Sequence, residues 1–247
     1  MYPDGRGAVR GVSLAVGKGE FLALIGTSGA GKTTLLKLIN RLVEPTRGTL
    51  RVDGADIAAT DPVRLRRGIG YVFQGIGLFP HLIVAENIAV TLRLLGWPKP
   101  DIAARVSEML DLVRLPRELA GRLPATLSGG QAQRVGVARA LAAKPSIMLM
   151  DEPFGAVDPL TRDALARDYR NLHDALGLTT VLVTHDVLEA VLLADRIAVM
   201  EAGELVETGT TQSLLTDAKT EAARALMDMP RRQSERVNRL SAGAAVR

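Results

Sequence analysis

Short apolar runs alternate along the chain with longer stretches in which apolar residues recur every three or four positions. That alternation predicts parallel strands joined by crossover helices, an α/β fold. Phe21 to Ile25 is a buried strand by this criterion, followed by a Gly-rich turn and a helix from about Lys32 to Leu42. Thr49 to Val52 is a short strand ended by the tight-turn pair Asp53-Gly54, and Ile69 to Phe73 is another buried strand. From about Val84 to Ser128 the pattern is helical, broken at Trp97-Pro98-Lys99-Pro100 and at Leu123-Pro124. Two further buried strands, Ile147 to Met150 and Thr179 to Thr184, flank a helix from about Leu160 to Leu176. Ile197 to Met200 and Glu204 to Val206 form a late hairpin turning at Glu201-Ala202-Gly203, and the chain ends in helix.

Composition narrows the class. At 247 residues, 47% hydrophobic and 23% charged, the chain fits one globular domain with enough core to need neither disulfides nor a structural metal. It has no cysteine, which excludes thiol chemistry and zinc-thiolate sites. The net charge of +4 is located rather than spread: from Arg231 to Arg247 five arginines face only Glu235, and the rest of the chain is neutral. Nucleic acid is therefore not an expected partner, while a solvated tail and contact with an acidic lipid surface both stay open. The opening Met1-Tyr2-Pro3-Asp4-Gly5 lacks a basic region followed by an apolar one, so the product is expected to stay in the cytosol. Gly68 to Ala85 is uncharged, but its glycines, Pro80, Gln74 and His81 make it strand, loop and helix start, not a membrane span.

The first chemical motif is Gly26-Thr27-Ser28-Gly29-Ala30-Gly31-Lys32-Thr33, a G-x-x-x-x-G-K-[ST] string between a predicted strand and a predicted helix. Glycines let the backbone wrap polyphosphate and aim N–H groups inward, and the helix start adds its positive dipole end. Lys32 is placed to reach the β- and γ-phosphates and Thr33 to ligate Mg²⁺, with Thr34 following in the same turn. Chance alone produces the four fixed positions in roughly one chain of this length in a hundred. A second motif, Leu127-Ser128-Gly129-Gly130-Gln131, opens a helix running to about Ala143. Ser128 fits the N-cap position, and Gly129 and Gly130 leave N–H groups uncovered at a helix start.

Together the two motifs resemble the ATP-binding cassette ATPases, and the resemblance runs from about Tyr2 to at least Thr216. It implies a P-loop fold with a RecA-like, mostly parallel sheet and an inserted helical subdomain. The catalytic core then covers about residues 1–83 and 129–216, the helical subdomain about 84–128 and a helical tail about 217–247. It also implies that Ser128 to Gln131 cap the nucleotide of a partner copy, so that two chains enclose two ATP molecules head to tail.

The remaining site residues follow from the same resemblance. Ser146 to Glu152 is an apolar strand ending in two carboxylates at the sheet edge where α/β ligands bind. Asp151 matches the Mg²⁺-organising carboxylate and Glu152 the general base. Gln74, after Tyr71-Val72-Phe73, matches the glutamine that touches Mg²⁺ and water. Asp158 matches the loop that crosses the dimer interface, and His185, 34 positions after Asp151, the histidine that contacts the γ-phosphate. Tyr2 has the offset of the aromatic that stacks on adenine, although the strand expected before it is missing. His81 and His173 receive no catalytic role.

Gln74 to Asn87 resembles the segment that receives a membrane subunit's helix, which implies a loop with Leu78-Phe79-Pro80 exposed beside the nucleotide sensor, core packing of the same residues staying open. Leu38 to Pro45, Tyr71 to His81 and Leu94 to Lys99 resemble importers of quaternary-amine osmoprotectants such as glycine betaine or choline. The implied partners are a second ATPase copy, integral-membrane permease subunits and, indirectly, a solute-binding protein, at the cytoplasmic face of the membrane. The sequence ends at Arg247, so control by the regulatory nucleotide-binding modules that some members carry is not expected. Import of another small solute stays open, as do signature-bearing ATPases acting on DNA or ribosomes and a nucleotide-gated scaffold.

Overall fold

The computed structural model describes residues 7–75, 77–155 and 157–244, and within 231–244 only the side chains of Arg232 and Glu235. Tyr2 lies outside the described residues. The chain runs β1 (Phe21–Gly26), α1 (Lys32–Ile39), β2 (Arg51–Val52), β3 (Ala55–Asp56), α2 (Pro62–Gly68), β4 (Ile69–Val72), α3 (Val84–Leu94), α4 (Lys99–Leu112) and α5 (Gly129–Leu141). It continues through β5 (Ile147–Asp151), α6 (Pro159–Leu176), β6 (Thr179–Val183), α7 (Val187–Leu193), β7 (Arg196–Glu201), β8 (Glu204–Thr210), α8 (Thr211–Asp217) and α9 (Glu221–Ala244). Hydrogen bonding places β4-β5-β6 side by side and β1-β7-β8 side by side, and β2 with β3 forms a separate hairpin. The fold is the mixed α/β cassette with a mostly parallel sheet that the alternating pattern predicts.

The chain divides into two compact units. The first contains residues 1–15, 21–32 and 183–247. Here β1, buried at every position, pairs in parallel with β7 from Leu22 opposite Arg196 to Gly26 opposite Met200. β7 turns back into β8 through Ala202 and Gly203, both with positive φ, and a register shift falls at Val199/Met200. Leu22, Leu24, Ile197 and Val199 are fully buried in this core.

The second unit contains residues 16–20 and 33–182. β4 and β5 pair in parallel from Ile69 opposite Ile147 to Val72 opposite Met150, and α5 packs on β4. Gly70 permits that approach: a Cβ there would lie 2.3 Å from Met148 Sδ and 2.8 Å from the Ala140 carbonyl. Around α3, α4 and α5 a second core forms from Ile88, Leu92, Met109 and Leu110. Pro98 caps α4 and Leu123 precedes a single 3₁₀ turn, so both proline breaks fall where the sequence places them. Asp53 (φ 49°) and Gly54 (φ 78°) turn the β2–β3 hairpin, two left-handed residues as that turn requires.

Several boundaries differ from the sequence reading; the last hairpin strand, for one, runs to Thr210 rather than Val206. The first helix ends at Ile39 rather than Leu42, because Arg41 adopts φ 47° and the Leu42 N–H bonds back to the Lys37 carbonyl at 2.9 Å. That is a left-handed C-terminal cap, which apolar periodicity does not register. The strand expected from Thr49 begins at Arg51, where pairing with Asp56 starts.

Candidate functional site

The Gly-rich loop grows from the end of β1. A Cβ on Gly26 would sit 2.0 Å from the Met200 carbonyl, and one on Gly31 (φ 95°) 2.2 Å from the Ala8 carbonyl. Both contacts are with backbone, which cannot move aside, so these two glycines set the loop's path. Thr27, Ser28 and Gly29 remain exposed at its rim, whereas Ala30, Gly31 and Lys32 are buried. The Lys32 ammonium donates to the Gly26 carbonyl at 2.8 Å and the Thr27 carbonyl at 3.0 Å, which arches the cation over the loop. The result is a turn with its positive charge fixed by its own carbonyls.

Thr33, in the first turn of α1, donates through Oγ1 to Asp151 Oδ1 at 2.9 Å, and Thr34 is half-buried beside it. Asp151 ends β5 and is 4% exposed. Burial pushes the Tyr71 hydroxyl up from its ordinary range, and the Asp151 charge pushes it further, so that neighbour stays protonated. Glu152 follows with φ 46°, a conformation uncommon for a residue with a Cβ. Its Oε2 accepts from Gln74 Nε2 at 3.0 Å. Two adjacent carboxylates thus receive different settings: Asp151 is buried against a hydroxyl, and Glu152 is half-buried against an amide.

Among the described residues no group of three or more His, Cys, Asp or Glu is arranged to hold a metal. A hydroxyl and one buried carboxylate fit Mg²⁺ all the same, because that ion takes hard oxygen ligands, keeps several waters and is commonly completed by phosphates.

The signature segment forms a capping box. Gln131 N–H donates to Ser128 Oγ at 3.2 Å, and Ser128 N–H donates to Gln131 Oε1 at 3.0 Å. Ser128 and Gly129 are exposed at the start of α5. A Cβ on Gly130 would meet Thr161 Cγ2 at 2.6 Å, so glycine lets this turn lie against the first turn of α6. Asp158 caps that helix, accepting from Thr161 N–H at 3.0 Å. The hydrogen bonds from Thr161 hold its carboxyl below the usual range. Thr161 therefore brings Ser128–Gln131 and Asp158 together, two segments separate in sequence.

His185 is exposed just past β6. The preceding Thr184 is buried, its N–H reaching the Leu24 carbonyl at 3.3 Å and its hydroxyl donating to Glu189 Oε2 at 2.7 Å. His173 is buried in α6 with Nδ1 2.9 Å from Thr180 Oγ1.

Two residues were missed by the sequence reading. Asn87, fully buried, accepts from Phe79 N–H at 2.8 Å and donates to the Phe79, Leu82 and Ile83 carbonyls. Arg139 reaches the Gly77 carbonyl at 2.8 Å. Between them they hold the loop after Gln74, with Phe79 and Pro80 exposed and Leu78 half-buried. A polar residue on the apolar face of α3 and a cation in the buried run Val135–Leu141 were the available signals.

A Gly-rich loop after a strand, a hydroxyl–carboxylate pair at a strand end and a capped Ser-Gly-Gly-Gln helix start are the features of a P-loop cassette. Residues 9–155 match the family model described as "ABC transporter", and the chain belongs to that family. It is 50% identical over 221 residues to the glycine betaine/carnitine/choline transport ATP-binding protein OpuCA of Bacillus subtilis, covering 90% of this chain and 58% of that protein. It is also 50% identical over 209 residues to the glycine betaine uptake system ATP-binding protein YehX of Escherichia coli, covering 85% of this chain and 68% of that one. The sulfate/thiosulfate import ATP-binding protein CysA of Caulobacter vibrioides is 48% identical over 207 residues, 82% of this chain and 60% of that one. A solved structure of the cassette MJ0796, dimeric and post-hydrolysis with ADP and Pi, superposes with a TM-score of 0.75. It is 35% identical, covering 83% of this chain and 90% of that one. The chain thus spans a little over half the length of the Bacillus relative.

Proposed function

We propose that the chain binds Mg-ATP in its Gly26–Thr33 loop and hydrolyses it as one of two head-to-tail copies, powering uptake of a quaternary-amine osmoprotectant through a membrane permease. The observation that carries the catalytic reading is the pairing in one unit of Thr33 with Asp151 and of Gln74 with Glu152. Thr33 and Asp151 would hold Mg²⁺, which neutralises charge on the transferring phosphoryl group. Glu152 accepts the proton of the attacking water, and Gln74 orients that carboxylate and the water. Lys32, His185 and the N–H groups of Gly29 to Thr34 face developing charge on the phosphate oxygens. Ser128, Gly129, Gly130, Gln131 and Asp158 serve the nucleotide of the second copy; Tyr2, the sequence candidate for adenine stacking, lies outside the described residues.

The solute reading rests on the 50% identity to the glycine betaine and choline proteins. The 48% identity to a sulfate/thiosulfate importer ATPase favours a second reading, import of another small solute. No described helix is long and apolar enough to cross a membrane. Residues 84–128 form the helical subdomain in this reading, and Phe79 with its neighbours receives the permease at the cytoplasmic face. Purifying the complex from its membrane and measuring ATPase stimulation by candidate solutes tests both readings. Stimulation by glycine betaine or choline supports the first, and stimulation by sulfate alone overturns it.

A further inference from the structure

Arg139 lies near the end of α5 and is 8% exposed, yet among the described residues no carboxylate lies within ion-pair distance of it. Burial pushes its guanidinium below the usual arginine range. A buried cation without a counter-charge is costly, and such groups need compensating contacts. What surrounds this one is the loop that carries Gln74. Nη1 donates to the Gly77 carbonyl at 2.8 Å, and Cζ lies 6.0 Å from the Phe73 ring centroid and 5.7 Å from that of Phe79. Both distances sit at the outer range for cation–π attraction. Nη2 is buried with no partner.

The two ends of this connection matter. α5 opens with Ser128–Gln131, and the gripped loop begins one residue before Gln74, whose amide reaches Glu152 at 3.0 Å. Phe73 and Phe79 are 45% and 42% exposed on their outer sides, so Arg139 holds from within two rings that also face solvent.

We propose that Arg139 is a positioning residue: it ties the signature-bearing helix to the loop of Gln74, and Gln74 addresses Glu152 only while the guanidinium grips that loop. Movement of α5 when Ser128–Gln131 seat on a nucleotide is thereby passed to the Gln74–Glu152 pair. A lysine is a poor replacement, since it offers a point charge in place of a planar group that spans a carbonyl and two rings. The proposal rests on the catalytic roles given above to Gln74 and Glu152.

The test is a double-mutant cycle on the full chain, with ATPase turnover measured at protein concentrations where turnover per chain has levelled off. Arg139→Met is expected to lower kcat about tenfold with KM for ATP changed less than about twofold, as for loss of an interaction made only in the transition state. Arg139→Lys, which keeps the charge and most of the volume, is expected to recover less than half of the lost kcat. In a Gln74→Ala background Arg139→Met is expected to cause no further drop, because the residue it positions is gone. A kcat for Arg139→Met above half that of the natural chain overturns the proposal. So does full recovery with lysine, or a drop that multiplies with that of Gln74→Ala. Glu152→Gln measured alongside separates the two readings: if it keeps full turnover, the catalytic assignment itself fails, whatever Arg139 does.

Discussion

Gln74 Nε2 donates to Glu152 Oε2 at 3.0 Å, joining residues 78 positions apart, one from the loop after β4 and one from the end of β5. The parallel pairing of those strands puts both side chains at the same sheet edge. Glu152 takes a left-handed φ of 46°, and Asp151 accepts from the Thr33 hydroxyl through Oδ1. Glu152→Gln retains an acceptor for the Gln74 amide but cannot take a proton. We expect ATP affinity within about twofold and turnover lower by roughly 10²–10⁴-fold, the usual weight of a general base. Single-turnover kinetics with labelled ATP checks this.

The Thr33–Asp151 pair predicts a separable metal effect. Thr33→Val is nearly isosteric and removes the hydroxyl while leaving the loop glycines in place. Binding of ATP without Mg²⁺ is expected to change little, whereas the gain in affinity on adding Mg²⁺ shrinks at least about tenfold, the scale on which metal-site ligands and their supports act. Calorimetric titration of ATP with and without the metal reads both quantities.

Asn87 predicts a structural effect on the same loop. Asn87→Ala leaves the Phe79 N–H and the Phe79, Leu82 and Ile83 carbonyls without this partner and opens a cavity in the α3 face. A loss of about 2–4 kcal/mol is expected from unpaired buried groups and lost packing, which for a domain of this size is a Tm lower by about 5–15 °C. Hydrogen exchange should show the Phe79 amide losing protection before the strands do.

The Asp158 cap predicts a pH dependence. Its carboxyl is held low by the Thr161 hydrogen bonds, so the stability it contributes is present above the unfolded-state pKa of about 3.9 and is lost as pH falls through the lower folded value. The Tm difference between the natural chain and Asp158→Ala should therefore be constant from pH 7 to 5 and narrow below about pH 4. A gap that widens in acid would contradict the assignment.

These residues also show what the sequence carries openly. The Gly26–Thr33 loop, the Ser128 capping box, the Asp53-Gly54 turn and the strand ending in Asp151-Glu152 are local patterns, each requiring its residue types within a few positions. Arg139 and Asn87 are different. Arg139 acts on a carbonyl 62 positions away, and Asn87 satisfies backbone groups that any sequence would present. Contacts with backbone leave no partner residue type to recognise, so only the folded chain reveals them. The same holds for Gly70 and Gly130, whose reasons are the distant Ala140 carbonyl and Thr161 methyl.

The central claim is that a nucleotide bound by Gly26–Thr33 of one copy is sealed by Ser128–Gln131 of another, and the solution mass of the inactive chain tests it most directly. Glu152→Gln at saturating Mg-ATP is predicted to sediment at twice the chain mass of 26.3 kDa, and at that mass without nucleotide. Adding Ser128→Arg, a bulky change at an exposed helix cap, is predicted to abolish the ATP-dependent dimer while ATP binding persists. A Glu152→Gln chain that stays at 26.3 kDa with ATP bound, or a Ser128→Arg chain that dimerises as before, would contradict the account.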